Sequence, residues 1–131
     1  MSRTNSDPAP IVCDVVVADG FVLTEMAGVV DVLRLANRVS GRSLFDWRFR
    51  SQSGGQIASS AGAMVETEAL TNRTDAAFVF VLGNADPAHP DLALGPIIST
   101  YIWRQARVVL LAEAASRYIA DQRGSCANHT T

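Results

Sequence analysis

Asp19, Glu25 and Glu113 each fall near the carboxyl end of a predicted strand, the end at which open α/β sheets place their ligand crevice. A carboxylate there can move a proton or hold a cation. Each also has a plainer role: Asp19 as a turn residue, Glu25 as a charge at a helix start, Glu113 as a solvated strand end. No nucleophile accompanies them. The chain has no G-x-S-x-G elbow, and no Cys or Ser sits at a sharp strand-to-helix turn flanked by glycines. The turns DGF and GNADP lack both the Walker spacing and G-x-G-x-x-G, so neither phosphate-binding route is supported. The two histidines are far apart, and Cys126-Ala-Asn-His129 is one short pair where a structural zinc site wants four ligands. His89, in the loop ADPAHP, reads as solvated. No metal and no cofactor are expected.

The element that must position these carboxylates is the stretch from Thr24 to Gly41, TEMAGVVDVLRLANRVSG. Met26, Val29, Val30, Leu33 and Asn37 follow the i, i+3, i+4, i+7 spacing of a helix, and Val32, Leu35, Ala36 and Val39 widen its apolar arc. A helix covering a sheet needs a stripe of roughly 100°, so this one has apolar surface for a second partner. Thr24 is the expected N-cap with Glu25 in the first turn. Ser40-Gly41 is the expected stop.

Before that helix, IVCDVVVA from Ile11 to Ala18 is a near-continuous run of strand formers broken only by Asp14, as in parallel strands buried on both faces. Asp19-Gly20-Phe21 turns it into the helix, opening a βαβ unit. Phe45 to Ser53 alternates, with Phe45, Trp47 and Phe49 on one side and Asp46, Arg48 and Arg50 on the other, which reads as a half-buried strand. Gln56 to Ser60 and Met64 to Thr67 form a hairpin around Ala61-Gly62. AAFVFVLGN is a second apolar run, expected beside the first strand. Leu92 to Arg107 shows helical spacing, with Pro96 tolerable only in its first turn. VVLLAEAA reads as a third core strand or as a continuation of that helix. The strand is favoured because two buried strands would leave the long helix poorly covered.

The chain is one domain by length, with 48% hydrophobic residues, 18% charged and a net charge of −2. That balance gives no electrostatic footprint for nucleic acid. The apolar run at Ile11 is too short to span a bilayer, and neither a membrane helix nor a secretory signal fits, so the expected address is the cytoplasm. Residues 1–10 read as a disordered lead-in and 11–131 as the folded unit. Cys13 reads as a small core hydrophobe.

The segment ADGFVLTEMAGVVDVLRLANRVSG resembles the first βα unit of the ThiJ/PfpI superfamily, related to class I glutamine amidotransferases. More closely, it is similar to the amino-terminal sensor domain of the GlxA-like branch of AraC-type transcriptional regulators. That branch has LRxANRxSG in its first helix, then an aromatic-Trp strand, a glycine turn and V-x-S-S-x-G. Here these are LRLANRVSG, Phe45-Asp-Trp47, Ser53-Gly-Gly55 and Ile57-Ala-Ser59-Ser60-Ala-Gly62. The likeness continues through FVLGNADP and covers roughly residues 15–107.

The resemblance implies a flavodoxin-like three-layer α/β sandwich with a mostly parallel sheet that binds a small molecule and forms a homodimer. Its ligand would be a small nitrogenous metabolite, such as an amino acid or a quaternary amine. The candidate ligand-binding residues are Asp19, Phe21, Glu25, Gly83, Asn84 and Glu113; Val32, Leu35 and Val39 are the candidates for the dimer contact. Catalytic members carry an elbow Cys assisted by a Glu at the start of the first helix. Glu25 matches that Glu, but no Cys follows VVLLAEAA, which implies a non-catalytic sensor. The family domain runs on past the elbow helix and into a helix-turn-helix segment. This sequence lacks that segment, so the expected fold is incomplete at its carboxyl end, and DNA would be reached only through the missing domain. Two other readings are a hydrolase or glyoxalase-like enzyme of the superfamily and a stand-alone binding protein.

Overall fold

The computed structural model describes residues 8–71, 75–84, 94–111, 114–116 and 119. In chain order its elements are β1 (Ile11–Val16), α1 (Leu23–Ser40), β2 (Phe45–Ser51), β3 (Gly55–Ala58), β4 (Met64–Ala69), β5 (Phe78–Val81), α2 (Leu94–Trp103) and β6 (Arg107–Leu110). The strands form one sheet in the order β3-β4-β2-β1-β5-β6. Every neighbouring pair is parallel except β3 with β4. The two apolar runs of the sequence, β1 and β5, are adjacent at its centre.

Side chains alternate across a strand, so β1 serves two cores at once. Val15 and Val17 pack with Phe21 and Leu82 under Leu23, Met26 and Val29 of α1, joined by Trp47 and Phe49. Val16 faces the other way, with Val79 and Val81 against Ile98 and Tyr101 of α2. The helices therefore cover opposite faces, giving the three-layer α/β sandwich of flavodoxin-like type expected from the sequence.

The N-cap of α1 lies two residues earlier than expected. The N-cap is Val22, extended at φ −83° and ψ 110° and without a side-chain cap bond, so Thr24 lies inside the first turn and does not cap. The backbone NH groups of Glu25 and Met26 bond the Val22 carbonyl at 3.1 and 3.3 Å. The helix stops as expected, with Gly41 left-handed at φ 70°. Asn37 then explains a polar residue in an apolar stripe. Its amide donates to the Phe45 carbonyl at 2.9 Å and its oxygen accepts from the Phe45 NH at 2.8 Å, tying the end of α1 to the start of β2.

The hairpin forms as read, and its turn is organised by Ser59. That hydroxyl accepts from the backbone of Ala61 at 3.2 Å and of Ala63 at 3.1 Å. Pro96 sits near the start of α2. The segment after α2 is a strand, β6, pairing β5 in parallel. It lies at the edge of the described sheet rather than in the core, with Arg107 and Val109 exposed. The lead-in at 1–7, His89, Glu113, Cys126 and His129 lie outside the described residues.

Candidate functional site

At the carboxyl ends of β1 and β5 the chain ties a knot of main-chain bonds. The Gly20 NH donates to the Ala58 carbonyl at 2.8 Å, the Ser60 NH to that of Phe21 at 2.9 Å, and the Val22 NH to that of Gly83 at 3.2 Å. The Asn84 amide donates to the Asp19 carbonyl at 2.5 Å. Phe21 thus bridges both the β3–β4 hairpin, at Ser59, and the end of β5, at Asn84. Gly20 has φ +83°, and a Cβ there would stand 2.9 Å from Asn84 Oδ1. A glycine is required by both conformation and space.

Four of the sequence candidates, Asp19, Phe21, Gly83 and Asn84, therefore meet, but their visible work is to fix the turn. Phe21 is only 1% exposed and belongs to the α1-side core. Asp19 contributes its carbonyl to the knot and is exposed at its side chain.

The knot sets the first turn of α1 beside an open cavity of about 320 Å³. Thr24, Glu25, Gly28, Val29, Val32 and Leu33 line it from α1, and Phe80 and Leu111 line it from the sheet side. Among the described residues Glu25, in the first turn of α1, is the one carboxylate in this lining. A carboxylate among apolar walls suits a cation that carries its own apolar surface. Among the described residues the lining holds no cysteine or serine. Cys13 is buried, and burial, followed by the nearby Asp14 charge, pushes its thiol up to about 11. It is held as a neutral thiol and is no nucleophile. Among the described residues, no three His, Cys, Asp or Glu side chains gather as metal ligands.

Val32 also belongs to the outer surface of α1, where it is 66% exposed, with Leu35 at 44% and Val39 at 86%. The surplus apolar arc of the sequence is thus uncovered in this chain.

The sequence reading passed over one constellation altogether. Asp14, the lone interruption in β1, is fully buried on the α2 face. Its Oδ1 accepts from Arg48 Nε at 3.0 Å and lies 3.6 Å from Arg50 Nε. Its Oδ2 accepts from the Tyr101 hydroxyl at 2.9 Å. Arg48 also reaches Asp75 at 2.8 Å, and Arg50 reaches Glu68 at 3.0 Å. The signal was present: two arginines on one side of an alternating strand need a partner, and Asp14 stands beside Arg48 in the parallel register.

The comparisons with known proteins agree with this architecture. No protein-family model matches the chain. An AraC family transcriptional regulator from Pseudomonas putida superposes with a TM-score of 0.67 at 17% identity, over 77% of this chain and 64% of that one. A DJ-1 superfamily protein from Agrobacterium tumefaciens gives 0.61 at 17% identity, over 76% and 52%. A ThiJ/PfpI domain protein from Brachyspira murdochii gives 0.62 at 13%, over 82% and 62%. In sequence, the HTH-type transcriptional regulator GbdR of Pseudomonas aeruginosa is 38% identical over 58 residues, which are 44% of this chain and 16% of that regulator. The chain therefore spans only part of the length of the proteins it matches. Its fold is that of the ThiJ/PfpI-like proteins, shared with the DJ-1 superfamily and with AraC-family regulators.

Proposed function

We propose that this chain is a non-catalytic sensing and dimerisation module of an AraC-type transcriptional regulator, working in the cytoplasm on a small nitrogenous metabolite. The observation that carries this reading is the cavity at the start of α1, in which the Glu25 carboxylate faces apolar walls and no thiol or serine hydroxyl. Such a lining can hold a cation, and among the described residues it offers neither a thiol nor a serine hydroxyl. DNA would be read by a helix-turn-helix domain outside this sequence. No helix among the described residues is long and apolar enough to cross a membrane.

The uncovered face of α1 supplies the second half of the proposal. Val32, Leu35 and Val39 form an apolar strip of the kind that mates with its own copy about a two-fold axis. Because Val32 also lines the cavity, occupancy and association share a side chain.

The test is a thermal-shift titration with tetramethylammonium and with free amino acids. A saturable rise in Tm that disappears in Glu25→Gln is expected. A flat response to all of them would refute sensing at this cavity. Mass measured across a concentration series should fall to the monomer in Leu35→Glu. A wild-type chain that stays monomeric throughout would refute the dimer.

A further inference from the structure

The exposed face of α1 carries two rows of side chains. Val32 and Val39 lie about two turns apart, with Leu35 between them, and form the apolar row. Asp31 and Arg38 also lie about two turns apart, and both are exposed. They are the i−4 and i+3 neighbours of Leu35, so they form a charged row along one flank of the apolar one. Asp31 already bonds Arg34 Nε at 3.2 Å. An exposed pair of this kind is worth little, and a carboxylate has room for a second guanidinium.

The order of the two charges decides how a second copy can lie on this face. A two-fold axis can run along the helix or across it. Along it, the copies are parallel, and the charged row of each meets the opposite flank of its partner, the one that carries Ala36. Across it, the copies are antiparallel and the two charged rows meet, each reversed against the other. Asp31 then faces the partner's Arg38, and Arg38 faces the partner's Asp31. The same reversal lays Val32 on the partner's Val39, with Leu35 beside the axis. The charged pairs centre between residues 34 and 35 and the apolar pairs between 35 and 36. That is a difference of about 1.5 Å along the helix, which an arginine side chain spans, so one axis serves both rows.

We infer that α1 packs antiparallel on the α1 of a second copy, its direction set by two reciprocal ion pairs between Asp31 of one chain and Arg38 of the other. This rests on the dimer proposed above and adds its direction and its means of choosing a partner. Charges of this kind contribute little affinity but penalise a partner whose order is wrong. Because Val32 also borders the cavity at Glu25, the partner's Val39 is set against the rim of that cavity.

Charge reversal tests the pairing, with mass measured across a concentration series. Asp31→Arg alone and Arg38→Asp alone each set like charges against one another twice in a dimer, and each should weaken association about tenfold or more. Mixed in equal amounts, the two variants can form a pair in which both contacts are opposite in sign, so the mixture should associate as the wild type does. That recovery also shows that both chains are folded. Oxidative cross-linking tests the direction, on chains that carry Cys126→Ser. Val32→Cys mixed with Val39→Cys should give a mixed covalent dimer, and Val32→Cys alone should give almost none. The inference falls if the wild type dimerises while the mixture stays as weak as its components, or if Val32→Cys links to itself as readily as to Val39→Cys. Either result leaves the dimer itself standing. A wild-type chain that stays monomeric overturns the dimer and its direction together.

Discussion

The two faces of the central strand are held by different physics. Toward α1, Val15 and Val17 meet Trp47, Phe49 and Phe21 in a purely apolar layer. Toward α2, the same strand sends out Asp14, which holds two arginines and a tyrosine. Apolar packing rewards closeness and is nearly indifferent to which valine touches which phenylalanine. A buried carboxylate is selective. Were β2 to slip by one residue against β1, Trp47 would take the place of Arg48 beside Asp14, and a bare charge would lie in the core. The α1 face supplies cohesion and the α2 face supplies register.

That contrast is tested most severely at Asp14. Asp14→Ala leaves two half-buried guanidinium groups facing a hole and should cost about 3–5 kcal/mol in chemical denaturation. Its neighbour Val15→Ala, on the other face, should cost about 2–3 kcal/mol. Equal losses would erase the distinction. Replacing the charges together, Asp14→Leu with Arg48→Met and Arg50→Met, should recover most of the stability. It should also broaden the NMR signals of β2, because register is no longer enforced.

Tyr101→Phe removes one donor to a buried charge and should cost about 1.5–3 kcal/mol. Alkaline titration comes next. The folded Cys13 thiol is raised from 9.0 to about 11, so the folded chain keeps a proton that the unfolded chain releases. Stability is complete below pH 9 and falls as pH rises toward 11, by an amount on the order of 2 kcal/mol. Tyr101, raised above its ordinary 10.0 by burial and by Asp14, adds a fall of the same sign beginning higher. The difference between wild type and Cys13→Ala, followed by denaturation between pH 8 and 11, isolates the thiol. A parallel pair of curves would show that burial does not hold its proton. Smallest of all, Val39→Ser on the uncovered strip should change the stability of the monomer by less than about 0.5 kcal/mol, while lowering any self-association seen by mass.

The apolar face was the legible one. Long runs of strand formers at β1 and β5, the alternation of Trp47 and Phe49, and the helical spacing of α1 all follow from periodicity, which records burial. The hairpin was legible through Ala61-Gly62, and the helix stop through Gly41. What periodicity cannot record is pairing between polar residues distant in sequence. Asp14 looked like a flaw in a strand and Arg48 and Arg50 like a solvated edge until the register brought them together. The N-cap was missed for a related reason: a threonine at the second helical position resembles a cap, whereas the backbone turn at Val22 is set by the Gly83 carbonyl, which local sequence does not show. At the site, Glu25 could be placed because helix starts in an α/β unit face the crevice. Phe21 could not, because whether an aromatic beside a turn points inward depends on the hairpin that closes over it.

The parallel pairing of β1 has a temporal consequence. Phe45 and Phe78 are the partners that reach Ile11 and Cys13, and neither lies near them in the chain. Local pieces such as the β3–β4 hairpin can close in about 1–10 μs, but β1 must wait for segments made much later. Mixed folds with such distant contacts assemble far more slowly than helical bundles. During synthesis β1 precedes both of its partners and is enclosed only once they follow. Until Phe78 emerges, the edge of β1 that later adjoins β5 stays unpaired, a row of open backbone donors and acceptors well before the cavity exists.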